Sequence, residues 1–146
     1  MDRELLAKFW DDAWNKGLWT ASWKQSVDGL TPERAAWKHD PARHSVWQIA
    51  SHVIYWREVQ LRRFQNGPEP TKDEVARLNF PDPKEPTESV WKETLRRLED
   101  TQGQFAAAIA NPKNDMEKLA VVLAHDCYHF GQINYVRALA GLKPIE

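Results

Sequence analysis

In a chain of 146 residues, 20 Lys+Arg stand against 21 Asp+Glu for a formal charge of −1. That balance, with no dense basic block, excludes the electrostatic footprint of a nucleic-acid binder. With 42% hydrophobic and 28% charged residues, the composition is that of a soluble globular protein, expected to form one domain over residues 1–146 whose core needs no disulfide staples. The single cysteine, Cys127, rules out an internal disulfide framework and fits a reducing compartment. Met1-Asp2-Arg3-Glu4 lacks the basic start of a secretory leader, and no apolar run approaches the ~20 residues of a bilayer span. The expected location is the cytoplasm, with no membrane partner.

From Arg3 to Val27, Leu6, Phe9, Trp10, Ala13, Trp14 and Trp23 recur at spacings of three and four. This predicts an amphipathic helix that Gly17 interrupts without having to end. Thr31 before Pro32-Glu33-Arg34 reads as an N-cap with proline in the first turn, opening a short helix that stops near Trp37. The polar stretch Lys38 to His44 follows, and its His39 and His44 are read as surface or capping residues. Ser45 with Gln48 has the form of a capping box, so a second long helix is expected from Val46 to about Gln65, stopped by Asn66-Gly67-Pro68. Pro68, Pro70, Pro81, Pro83 and Pro86 then forbid a continuous helix, leaving room for a turn or two between Lys72 and Asn79. Connections of this length are often functional covers or crossovers.

Thr87, Val90, Trp91, Leu95, Leu98, Phe105 and Ile109 mark a third long helix ending before Asn111-Pro112. Asp115 caps a fourth, in which Leu119, Val122, Leu123, His125, His129, Ile133 and Val136 form the inward face and Gly141 is the stop. No segment alternates with the period of a strand. The expected architecture is all-α, a four-helix bundle with a long, proline-rich connection between its second and third helices. The eight tryptophans are read as core bulk, several of them alternatively as the wall of a pocket.

His125 and His129 stand four residues apart, so their rings leave one face of the fourth helix. His52 lies on the stripe of Ile49, Trp56 and Val59 in the second. If the two stripes pack together, three imidazoles converge in an apolar interior, where unpaired polar groups cost ~1–3 kcal/mol each. Either one divalent cation or a hydrogen-bonded core cluster satisfies them, and spacing alone leaves the two even. Cys127 points away from the histidine face and is read as a small buried hydrophobe rather than a ligand. Tyr55, Glu58 and Tyr128 are candidate acid or base groups at the rim, each more simply structural. Gln132 is either a contact to a histidine or an interface polar residue, and mid-helix Gly131 is read as a point of close helix packing.

Ser45-Val46-Trp47-Gln48-Ile49-Ala50-Ser51-His52, followed by His125-Asp126-Cys127-Tyr128-His129-Phe130-Gly131-Gln132-Ile133 and preceded by Leu30-Thr31-Pro32-Glu33 before Trp37, resembles the DinB-like (YfiT-like) metalloenzyme superfamily over almost the whole chain. The resemblance implies a four-helix bundle that binds nickel, zinc or iron through three histidines, here His52, His125 and His129. It also implies homodimers, and it includes transferases and isomerases that use low-molecular-weight thiols. Two functional readings follow. One is a metal-dependent enzyme acting on a small molecule, either a thiol S-transferase or a hydrolase, with its catalytic residues unassigned. The other is a non-enzymatic metal-binding bundle with a structural or stress-related role. Three protein ligands leave a position open for substrate, which favours the first.

Overall fold

The computed structural model describes residues 2–145; Met1 and Glu146, the ends of the expected domain, lie outside the described residues. Seven helices and no strand are found among them: α1 Arg3–Asn15, α2 Trp23–Val27, α3 Pro32–Ala36, α4 Val46–Phe64, α5 Lys72–Leu78, α6 Glu88–Ala110 and α7 Met116–Leu139. Each is opened by an Asp, Ser or Thr whose side-chain oxygen accepts a hydrogen bond from a first-turn amide, a cap typically worth ~1 kcal/mol. Ser45 and Gln48 form the full reciprocal box predicted for α4. Gly141, at φ +68, follows the last turn of α7 in the left-handed conformation that suits glycine.

The predicted first helix is in fact two. Gly17 adopts φ +85, and a side chain there would place its Cβ 1.9 Å from the Thr20 carbonyl oxygen. The chain breaks at this point, and Ser22 with Gln25 builds a new capping box for α2. The three-and-four spacing of the apolar residues continues across the break only because both pieces face the same core. Trp23 meets Trp10 edge-on at 5.3 Å and stacks on Phe130 at 4.9 Å. Trp19, beside the break at φ 94, is wholly exposed, so it is not part of the core bulk expected of the tryptophans. Trp10, Trp14, Trp23, Trp47 and Trp91 are buried.

Among the long helices, α4 packs against α6 and α7, and α1 packs against the same two. The short α2 lies on α7, while α3 and α5 lie on α4. Leu6, Trp10, Leu98, Phe105, Leu119 and Ile133 fill the shared interior. Buried indole N–H groups are satisfied by carbonyls across helices, Trp10 by Gln102 at 3.1 Å and Trp91 by Leu30 at 2.9 Å. Among the described residues no helix is long and apolar enough to cross a membrane. The connection between α4 and α6 holds α5 and then returns to α4. There the side-chain amide of Gln48, having capped its own helix, donates to the Phe80 carbonyl at 3.2 Å. That bond sets Asn79 and Phe80 beside the middle of α4.

Candidate metal centre

The packing of α4 on α7 brings His52, His125 and His129 together. Ring centroids stand 4.3 Å apart for His52 and His129, 4.4 Å for His125 and His129, and 5.2 Å for His52 and His125. One ring nitrogen of each lies within 4.8 Å of the other two. His52 and His129 are buried, while the His125 side chain is 30% exposed.

Each Nδ1 has its own partner. In His52 it faces the Asn79 backbone carbonyl and the Asn79 side-chain oxygen, both at 2.9 Å. His125 Nδ1 faces Asp126 Oδ1 at 2.9 Å. His129 Nδ1 faces Gln132 Oε1 at 2.7 Å, and the Gln132 amide donates onward to the Tyr128 hydroxyl at 3.0 Å. A carbonyl or a carboxylate only accepts, so each Nδ1 carries the proton and donates. The Nε2 lone pairs are left bare. Those of His52 and His125 face each other at 3.2 Å, two acceptors with no hydrogen between them.

Two bare acceptors facing each other are reconciled by a cation between them, and the donor set fits a divalent metal. Two imidazole nitrogens bound tetrahedrally to a zinc-sized ion at ~2.0–2.1 Å stand about 3.3–3.4 Å apart, close to the spacing seen. Burial, and secondarily the neighbouring His129, pushes His52 down to about 4. Burial and then His125 lower His129 in the same direction. Both rings are therefore neutral at physiological pH, the form a metal requires.

The residues that orient the histidines are themselves held. Asp126, wholly buried, accepts from Arg57 Nε at 2.7 Å. Arg57 also donates to the Leu98 carbonyl and the Thr101 hydroxyl, both at 3.3 Å, and its guanidinium lies over Trp10 at 4.8 Å. Asn79 Oδ1 accepts a second hydrogen bond, from Trp56 Nε1 at 2.8 Å. Phe80 stacks on His52 at 4.0 Å and on His44 at 3.8 Å. The His52 ring is thus fixed at its edge by Asn79 and across its face by Phe80.

Of the residues singled out in the sequence, the three histidines converge and Gln132 holds His129. Tyr128 stands at the rim, 63% exposed with its ring 4.9 Å from His129. Glu58 is elsewhere, on the surface and paired with Arg97 at 2.7 Å. Tyr55 is buried among Glu74, Arg62 and Arg63. Cys127 is exposed rather than buried, because two positions beyond His125 lies on the far side of the helix. Gly131 is not a point of close packing within the chain, since a Cβ there would meet nothing within 4 Å. His39 and His44 are exposed, as expected, although His44 also backs Phe80. Asn79, Phe80 and Arg57 carried no signal in the sequence. Asp126 lay in plain view between the histidines.

Two clefts flank the cluster. One of about 220 Å³ is lined by His125, Trp56, Val121, Val122, Gln60 and Arg63. The other, about 510 Å³, lies beside Gln132 and is bounded by His44, Ile49, Tyr135 and Leu139 among others. No curated protein and no solved structure matches the chain. The family model of the DinB superfamily matches residues 18–133, a span that includes all three histidines and every residue that orients them, and the chain belongs to that superfamily.

Proposed function

We propose that His52, His125 and His129 hold one divalent cation through their Nε2 atoms, and that the protein is a metal-dependent enzyme acting on a small molecule, with a low-molecular-weight thiol as the favoured substrate. The observation that carries this reading is that one ring nitrogen of each histidine lies within 4.8 Å of the other two while each Nδ1 is tied down by its own partner. No Cys, Asp or Glu joins the group among the described residues, so protein atoms leave part of a coordination shell for another molecule. A divalent cation held there supplies Lewis acidity, which ionises a thiol or a water near neutral pH.

The chain's own contribution is to orient and shield. Asn79, Asp126 and Gln132 keep the three Nδ1 protons in place and so fix the tautomers. The cleft beside His125 offers Trp56, Val121 and Val122 to the apolar body of a substrate, with Gln60 and Arg63 at a polar end. The same arrangement suits transfer of a thiol to an electrophile or hydrolysis. The partly exposed His125 with a cleft against it supports either over a metal that only braces the fold.

The test is elemental analysis of tag-free protein beside His52→Ala and His125→Ala. About one divalent ion per wild-type chain, lost in both variants, is the expected result. Absence of stoichiometric metal, or metal indifferent to both changes, overturns the site. Spectroscopic titration of the metal-loaded protein with small thiols or azide then separates the two classes. Binding of either is expected for an enzyme, whereas no binding together with unfolding on chelation identifies a structural metal.

A further inference from the structure

Arg57 and Arg137 are the buried arginines among the described residues, and they are provided for very differently. Arg57, 1% exposed, has the Asp126 carboxylate at 2.7 Å, the Leu98 carbonyl and Thr101 hydroxyl on α6, and the faces of Trp10 and Trp23. Arg137, 9% exposed in the last turn of α7, has a single hydrogen bond, from Nη1 to the Ser26 carbonyl at 3.3 Å. Among the described residues no carboxylate pairs with it. Burial lowers its pKa with no acidic group to oppose the effect, yet an arginine keeps its proton. The carbonyls at the end of α7 favour a cation there, but an unpaired charge taken out of water costs more than they return.

The guanidinium is not sealed. None of its nitrogens is both buried and unpaired, whereas Nη2 of Arg57 is. The donors left over at Nε and Nη2 therefore open on the cleft of about 200 Å³ that Arg137 lines. Leu142, Pro144 and Ile145, from the segment that follows α7, give this cleft an apolar wall, and Lys143 gives it a second cation. No acidic residue lines it. It is also separate from the histidine cluster, because Val136 and Leu139 on α7 line the opening beside Gln132 while Arg137 lines this one.

We infer that this cleft binds a small carboxylate with an apolar body. Nε and Nη2 form the side of a guanidinium that donates two parallel hydrogen bonds to the two oxygens of a carboxylate, and Nη1, engaged by Ser26, is left out of that pair. Lys143 adds a point charge to the same anion. Two cations without an acid disfavour an ammonium group on the ligand, so a simple acid fits better than an amino acid. The volume is below the ~300–1,000 Å³ of drug-sized sites, which suits a short-chain acid. Binding there needs no metal at the histidines.

Hexanoate is the probe, titrated into the full chain and followed by proton–nitrogen NMR, with circular dichroism as the check on folding. Saturable shifts are expected at Arg137 Nε and at the amides of Leu142 and Ile145, with Arg57 Nε unmoved and a melting temperature that climbs with hexanoate. Hexanol, the same body without the charge, is expected to leave these resonances in place. Lys143→Glu, on an exposed position, is expected to weaken hexanoate at least ~10-fold by setting like charges together. Arg137→Met is expected to abolish saturation and keep the helical spectrum, since an apolar chain of similar length replaces a charge that has no counter-charge to strand. Should Arg137→Met fail to fold, Lys143→Glu and hexanol still decide. The proposal is overturned by hexanoate shifts that do not saturate or that spread over the exposed arginines. It is overturned equally by hexanol binding as well as hexanoate, or by affinity indifferent to Lys143→Glu and Arg137→Met. Hexanoate that binds Glu146→Gln but not the wild-type chain assigns the cleft to the chain's own acidic side chain, which also overturns it.

Discussion

Helices α6 and α7 are nearly equal in length, 23 and 24 residues, and beyond the first turn of α7, where Glu117 and Lys118 are exposed, they place their charges on opposite sides. On α6, Lys92, Glu93, Arg96, Arg97, Glu99 and Asp100 all face solvent, and Arg96 pairs with Glu93 and Asp100 within its own helix. On α7, Asp126 and Arg137 turn inward. Asp126 takes its proton donors from His125 and Arg57, and Arg137 donates to the Ser26 carbonyl at 3.3 Å. The difference shows where charge acts on structure. The Arg96 pairs on α6 are screened by water and tie down only their own side chains, whereas the buried pair of Asp126 on α7 with Arg57 on α4 joins three helices and sets the tautomer of a histidine.

The largest effect that would break this contrast is on stability. Arg57→Met leaves the Asp126 carboxylate buried without its cation, at an expected cost of ~3–5 kcal/mol, measured by urea unfolding. If Arg96→Met on α6 cost as much, burial would not be what separates the two helices. Next in size is Asn79→Ala, which removes the side-chain oxygen shared by His52 Nδ1 and Trp56 Nε1 and leaves His52 only the backbone carbonyl of residue 79. Metal affinity is expected to fall ~10–100-fold, as for other residues that orient a ligand from behind, with helicity unchanged; competition against a chromophoric chelator reads it. An affinity equal to wild type would mean that the backbone carbonyl of residue 79 and packing by Phe80 suffice to orient the ring.

A smaller effect follows from pH. His52 takes up its proton at about 4 in the folded chain against 6.5 in the unfolded one. Between those values the unfolded state binds a proton that the native state refuses, so stability rises with pH across the window. His129, lowered for the same reason, adds to it. Metal-free protein is therefore expected to hold its full histidine contribution above pH 6.5 and to lose it progressively down to about 4. Thermal melts across this range check the sign, and His52→Phe should flatten part of the slope. The smallest change is Arg96→Met itself, for which no measurable loss is expected because its partners remain solvated on either side.

Much of this molecule is local and could be read along the chain. Thr31, Ser45, Thr87 and Asp115 cap the helices they were expected to cap, since a cap involves only a side chain and the amides of the next turn. The spacing of His125 and His129 on one face is likewise a property of a single helix, and the motif around His52 carried the family. The break of α1 before α2 was not legible, because Gly17 is compatible with a helix until the Thr20 carbonyl closes on it. Asn79, Phe80 and Arg57 gave no sign of their roles. Asn79 and Phe80 act at His52 from beyond the end of α4, the turn after it and the whole of α5, and Arg57 reaches Asp126 across 69 residues. The sequence by itself determined the helices, their caps and the inward histidine faces, all of which depend on neighbours within a turn or two. Only the tertiary structure decided which nitrogen of each histidine stays bare and which face of α7 stays uncovered, because both depend on groups that meet only when distant segments pack.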